Sequence, residues 1–99
     1  MIFLQIDFPY NGPMGDTMAE EFKELAESIN KEKGLIWKIW TQNEQTKEAG
    51  GAYMFEDIAS CKAYLEMHTK RLQSFGIKDI RSKIFDVNTK LSALTNAPL

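Results

Sequence analysis

Four strand patterns and two helical patterns in the order β-α-β-β-α-β predict an α+β fold of the ferredoxin-like kind. This is a four-stranded antiparallel sheet with both helices on one face. Three observations carry the expectation. Residues 2–8 alternate between apolar and mixed positions with period two, and residues 16–29 and 58–74 repeat apolar side chains at helical spacing. Residues 35–55 form two strand-like runs divided by a short polar loop.

The first strand places Ile2, Leu4, Ile6 and Phe8 on one face and Phe3, Gln5 and Asp7 on the other. Residues 9–15, Pro-Tyr-Asn-Gly-Pro-Met-Gly, are dense in turn formers and predict a loop. Asp16 or Thr17 then caps a helix with Glu20 and Glu21 in its first turn. Met18, Phe22, Leu25, Ala26 and Ile29 form its inner face, and Gly34 is the stop signal. Strand two covers 35–42, a polar hairpin loop covers 43–48, and strand three covers 49–55. Gly50-Gly51 within that strand predicts a bulge or a close neighbour. Asp57 caps the second helix, which runs from Ile58 to about Ser74 and turns Ile58, Cys61, Leu65, His68 and Leu72 inward with Tyr64 beside them. Gly76 closes it, and Ile77 to Val87 is the fourth strand. Leu91 and Leu94 in the tail suggest a brief helical turn.

The two parities of strand two differ. Leu35, Trp37 and Ile39 are all apolar and are assigned to the helix side; Ile36, Lys38, Trp40 and Gln42 then face away. Trp40 exposed on an open sheet is unusual in a monomer, so a symmetric homodimer packed sheet against sheet is expected.

The 99 residues form one domain, 1–99, able to bury roughly 60–70 % of the unfolded chain's surface. A hydrophobic fraction of 43 % and a charged fraction of 26 % are those of a soluble globular protein. A net charge of −2 without a basic stripe argues against nucleic acid or an anionic membrane as partner. Lys70 and Arg71 fall late in a helix, where cations complement the macrodipole. Cys61 is the only cysteine, so no intramolecular disulfide or cysteine cluster is expected. The start of the chain lacks a signal pattern and no apolar run reaches membrane length, so a cytoplasmic location is expected. One histidine without a carboxylate pair predicts no metal site.

Several blocks carry a resemblance. They are Phe8-Pro-Tyr-Asn-Gly-Pro-Met-Gly-Asp, Leu25-Ala-Glu-Ser-Ile-Asn, Trp37-Lys-Ile-Trp-Thr with Glu48-Ala-Gly-Gly-Ala-Tyr-Met-Phe, Tyr64-Leu-Glu-Met-His-Thr-Lys-Arg-Leu and Lys83-Ile-Phe-Asp-Val-Asn. In this order and spacing, across nearly the whole chain, the sequence resembles the YdhR family of monooxygenases. That resemblance implies a dimeric α+β barrel, in which two ferredoxin-like protomers pair their sheets. It also implies a relation to cofactor-independent oxygenases that form quinones.

His68 is the only side chain with an unperturbed pKa near neutrality. With the resemblance it is the expected general base, removing a phenolic or enolic proton so that the carbanion donates an electron to dioxygen. Its structural alternative is a buried histidine bonded to a carbonyl or a tyrosine. Trp37 is expected to stack on a flat substrate and Tyr53 to orient a substrate oxygen, both residues having core tryptophan or tyrosine as alternative. Phe22 and Tyr64, with Met18, complete an apolar lining. Asn11 offers an amide to a substrate carbonyl or a peroxide, or serves only the Asn-Gly turn. The function expected is oxidation of a small aromatic or polycyclic phenol by dioxygen, with no cofactor and no metal. A non-catalytic dimeric ligand-binding module is the alternative from another class. A haem-degrading oxygenase fits less well, because the first strand carries Gln5 where related haem enzymes have Asn and the third carries Tyr53 without a Trp.

Overall fold

The computed structural model describes all of residues 1–99. Its elements are β1 (Ile2–Pro9), α1 (Gly15–Glu21), α2 (Lys23–Ile29), β2 (Leu35–Asn43), β3 (Glu48–Phe55), α3 (Ile58–Ser74), β4 (Arg81–Asp86) and α4 (Thr89–Leu94). The strands form one sheet in the order β2-β3-β1-β4, with every neighbouring pair antiparallel. The ferredoxin-like expectation therefore holds.

The sheet's inner face carries the alternating residues of β1: Ile2, Leu4, Ile6 and Phe8 are all buried. Tyr53 and Phe55 of β3 and Cys61, Tyr64 and Leu72 of α3 pack on them, with Ile29 from α2. Cys61 has no exposed surface and acts as a small apolar side chain. Asp57 caps α3 as expected, its Oδ1 accepting from the Ser60 N–H at 2.7 Å, and these bonds hold its carboxyl below the usual range. At Gly34 the chain turns with φ of +80°, and a Cβ there would meet the Ser60 side chain, so only glycine fits between α2 and the start of α3.

Four local features differ from expectation. The first helix begins at Gly15 without a side-chain cap of its own; the Gly15 N–H donates to Gln42 Oε1 of β2 at 3.0 Å, a partner 27 residues away. That helix is also broken at Phe22, whose φ and ψ of −102° and 11° separate α1 from α2. Residues 77–80 are not strand: Ile77 and Ile80 pack on the core edge and pairing starts at Arg81. The brief turn at Leu91 and Leu94 is a full helix, α4, capped by the Asn88 side chain.

The fifth difference moves the site. Opposite β3, Leu35 pairs with Phe55 but Trp37 pairs with the next residue, Met54, so Ile36 is an extra residue, a β-bulge. One inserted residue inverts the parity of everything after it. Lys38 pairs with Tyr53, which pairs in turn with Leu4 on the inner face. Lys38 and Trp40 thus face the helices, and Trp37 and Ile39 lie on the open side. The reverse had been expected.

Trp37 is covered by the chain's own tail there, its indole N–H donating to the Pro98 carbonyl at 2.8 Å. Phe3 and Phe85 sit beside it, with ring centroids 6.4 Å apart. The other end of the open face is polar, where Arg81 holds Asp7 and Glu48. No helix is long and apolar enough to cross a membrane.

Candidate active site

Between the inner face of the sheet and the helices lies a cavity of about 220 Å³. Met18, Phe22 and Leu25 from α1, α2 and their junction form one wall, and Lys38 and Trp40 of β2 form a second with Gly50 and Tyr53 of β3. His68 and Leu72 of α3 close the third side. The mouth lies between Trp40 and Phe75, which line the cavity yet are 37 % and 58 % exposed. Trp40 and Phe22 stack, with centroids 6.3 Å apart and planes 16° apart, which sets a flat wall.

His68 is 2 % exposed, and its ring lies on Tyr64 with centroids 4.9 Å apart. Arg71, one turn later, brings Nε within 3.2 Å and Nη2 within 3.0 Å of His68 Nδ1. A guanidinium only donates, so Nδ1 must accept, and in the neutral ring the proton then sits on Nε2. Burial first, then the charges of Lys38 and Arg71, push His68 down to about 3. At neutral pH the ring is uncharged and presents an N–H. No interior side-chain nitrogen or oxygen is both sealed and unpartnered, and Nε2 has no protein partner, so it opens onto the cavity that His68 lines.

Tyr64 donates to the Tyr53 hydroxyl at 3.3 Å. Burial raises both tyrosines, Tyr53 to about 12, so both stay protonated and Tyr53 keeps its own O–H to give. Lys38 extends across the same floor, with Nζ 3.4 Å from the Trp40 ring centroid and 4.8 Å from that of Tyr53. It joins no ion pair; the ion pairs of the molecule are Glu66–Lys70, Asp7–Arg81 and Glu48–Arg81. Burial, and secondarily Arg71, bring its pKa down to about 7. No three His, Cys, Asp or Glu side chains are grouped to hold a metal ion.

Of the residues expected from sequence, His68, Tyr53 and Phe22 come together on this cavity. Tyr64 stands one layer behind, in contact with Tyr53 and His68 instead of the cavity. Trp37 is on the opposite face because of the bulge. Asn11 is exposed outside the cavity, since the turn it belongs to points Tyr10 inward, tied by its hydroxyl to the Pro13 carbonyl at 3.1 Å. Lys38, Trp40 and Arg71 were missed as site residues. Arg71 was legible as the residue three beyond His68, on the same helical face; the other two depend on the bulge.

The elements and pocket are those of a small ferredoxin-like α+β protein, and several solved structures share the fold. A crystal structure described as "a putative antibiotic biosynthesis monooxygenase from Deinococcus radiodurans" superposes with a TM-score of 0.65 at 7 % identity, covering 89 % of this chain and 93 % of that one. SnoaB, described as a cofactor-independent oxygenase from Streptomyces nogalater (mutant N63A), gives 0.62 at 12 % identity over 88 % and 92 %. A structural-genomics protein, YJCS, gives 0.58 at 21 % identity over 87 % and 99 %. At these identities the likeness is one of fold. Among curated proteins none matches. The chain belongs to the ydhR family, whose model, described as "Putative mono-oxygenase ydhR", matches residues 3–98.

Proposed function

We propose that this pocket oxidises a small phenolic aromatic with dioxygen, the substrate itself supplying the electrons and no cofactor taking part. The observation that carries the reading is the uncharged, N–H-bearing His68 beside the Tyr53 hydroxyl on an otherwise apolar slot with a stacked aromatic wall. Membership of a monooxygenase family and the fold shared with SnoaB support it. The ring lies along Trp40, and its oxygen sits between His68 Nε2–H and Tyr53 O–H. These donors favour the phenolate over the phenol, as oxyanion donors do. The carbanion form of the phenolate passes one electron to dioxygen, and superoxide and substrate radical join at a ring carbon that bears hydrogen. Loss of water from that peroxide leaves a carbonyl: one oxygen atom stays, the other leaves as water, and dioxygen takes four electrons from the substrate. His68 holds the oxygen in this reading instead of taking its proton, because Arg71 already occupies Nδ1 and Nε2 is protonated.

Oxygen uptake with a panel of naphthols, hydroquinones and anthrones tests this. His68→Ala is expected to lower kcat/KM by about 10²-fold, the cost of one oxyanion donor, and His68→Gln, which keeps an N–H, to recover part of it. No uptake across the panel defeats the oxygenase reading; an undiminished rate in His68→Ala defeats the role of His68.

We also infer that two copies pair through the open sheet face. Trp40 no longer supports this, since it lines the pocket, but Ile39 and Phe85 replace it: they are 54 % and 48 % exposed on that face. A solution mass of twice 11.3 kDa by light scattering is expected, falling to one unit in Ile39→Lys. A monomeric mass at micromolar concentration overturns the pairing.

A further inference from the structure

Lys38 is a basic group facing a cavity that contains no anion. The bulge at Ile36 turns it inward, and its nitrogen rests over the ring faces of Trp40 and Tyr53. The other ionisable groups around it are His68 and Arg71 from α3 and Tyr53 from β3, with Tyr10 on the far wall; the helix wall of Met18, Phe22 and Leu25 adds none. Tyr10 is raised by burial and by Glu21, so it too stays neutral. Lys38 thus lines an apolar slot without a carboxylate, and Arg71, behind His68, is a second positive group close to it. Lys38 is half-buried with its nitrogen open to the cavity, an ammonium there is poorly compensated by the apolar walls, and the chain itself supplies no anion to it.

We propose that the ligand supplies it: Lys38, as the free amine, takes the proton of the substrate's hydroxyl and then stands, as the ammonium, as the counter-ion of the resulting oxyanion. The substrate class is therefore a one- or two-ring aromatic with an ionisable hydroxyl, bound as the anion. This rests on the oxygenase reading above for the chemistry, though not for the binding. The cavity of about 220 Å³ lies below the roughly 300–1,000 Å³ of pockets that take drug-sized ligands, which favours a small aromatic. The O–H bond breaks, a bond from Nζ to hydrogen forms, and no electrons are exchanged. After oxygen adds, the ammonium returns that proton to the peroxide, whose O–O bond breaks as water leaves. Lys38 ends each cycle as it began. In this assignment the amine is the base that His68, fixed as a donor, is not.

The probes are 2-hydroxy-1,4-naphthoquinone, an acidic enol ionised at neutral pH, and its methyl ether, of similar shape but neutral. Trp40 fluorescence follows binding in a Trp37→Phe background, which leaves one tryptophan, the one on the cavity. At about pH 6 the anion is expected to bind at least tenfold more tightly than the ether, which is the scale of one desolvated ion pair. With free Lys38 titrating at about 7, anion affinity should fall by about tenfold, the value of the ion pair, between about pH 6 and about pH 9, while that of the ether stays level. Lys38→Met should abolish both the preference and its pH dependence and keep the ether's affinity, which also shows that the pocket is intact. Equal affinities at about pH 6, no binding of either probe, or a preference that survives Lys38→Met overturns the proposal. The two readings fail separately: anion preference without oxygen uptake on any phenol defeats the oxygenase reading alone. Uptake at full rate in Lys38→Met defeats the role of Lys38 alone.

Discussion

Gly50→Ala is expected to cost more than about 3 kcal/mol and to leave little folded protein, because the added methyl has no space. Gly50 lies in the middle of β3, paired with Asp7 of β1 on one side and Thr41 of β2 on the other. A Cβ there would run into the Ile6 carbonyl oxygen and stand 2.8 Å from the Asp7 Cα. Both neighbours are backbone, so nothing can swing away. Relief requires β1 to shift, and β1 carries Ile2, Leu4, Ile6 and Phe8 into the core. A chain of this size has a net stability of about 5–15 kcal/mol, so such a loss is a large part of the whole. Gly51→Ala is the comparison. Its Cβ would meet the Lys38 Cε at 2.7 Å and the Ile39 carbonyl and Tyr53 ring edge at 3.2 Å. The tightest of these is the end of a flexible side chain, so a smaller loss is expected, together with a displaced Lys38. Urea unfolding of both variants decides the matter. A Gly50→Ala protein within about 1 kcal/mol of the parent would mean that the two strands separate more easily than their close approach implies.

The four strands and the β-α-β-β-α-β order of elements were legible because they rest on alternation, helical spacing and a polar hairpin loop, all local properties. The Asp57 cap was legible for the same reason, since donor and acceptor lie three residues apart. The start of α1 was not: its partner is Gln42 on a different element, and no pattern near Gly15 announces it. The family was legible from blocks of residues spread over the chain, and the matching model over residues 3–98 agrees.

The candidate site was only half legible, and the reason is one residue. Both parities of strand two carry large apolar side chains, Leu35, Trp37 and Ile39 on one and Ile36 and Trp40 on the other. The wholly apolar parity, Leu35, Trp37 and Ile39, is the one a regular strand turns to the helices, because the other also carries Lys38 and Gln42. A bulge has no composition of its own; it is fixed by pairing with β3, a tertiary fact. The rule that put Trp37 inward is sound for a regular strand and fails after Ile36. His68 escaped this error because a helical face does not depend on strand register. Its role, however, changed with Arg71, which had been read as a cation for the helix end and instead fixes the histidine's tautomer. Residue identity was readable there, and proton position was not.

Lys38→Met is expected to raise stability, and the gain should depend on pH in a defined window. Lysine in the unfolded chain titrates near 10.4, whereas Lys38 in the fold titrates at about 7. Between these values the unfolded chain binds more protons, so stability rises with pH across the window and is at its lower level below about pH 7. Methionine has a similar length, carries no charge, and makes favourable sulfur contacts with aromatic rings such as Trp40 and Tyr53. The full displacement of the pKa overstates the benefit, because the Trp40 face returns up to about 2 kcal/mol to the ammonium when desolvated. A net gain on the order of 1–3 kcal/mol at about pH 6 follows, and each kcal/mol is worth about 4–8 °C in Tm at this size. By about pH 10 the parent's amine is neutral in the fold and the difference should shrink toward zero. His68 acts in a separate window. Its folded value of about 3 lies below its unfolded value near 6.5, so the parent loses stability as pH falls from about 6.5 toward about 3. Lys38→Met leaves that loss in place but softens it, since Lys38 is one of the charges that depress His68. Thermal melts of parent and variant across pH measure the difference directly, and the common response of the surface carboxylates cancels. A variant that melts lower at about pH 6 would show that the ammonium is already well solvated or paired in the fold. The slot would then hold no uncompensated charge for an anionic ligand to satisfy. A gain would tie the stability lost in the free protein to the residue that the ligand needs, the exchange expected where a binding site is held in tension with its fold.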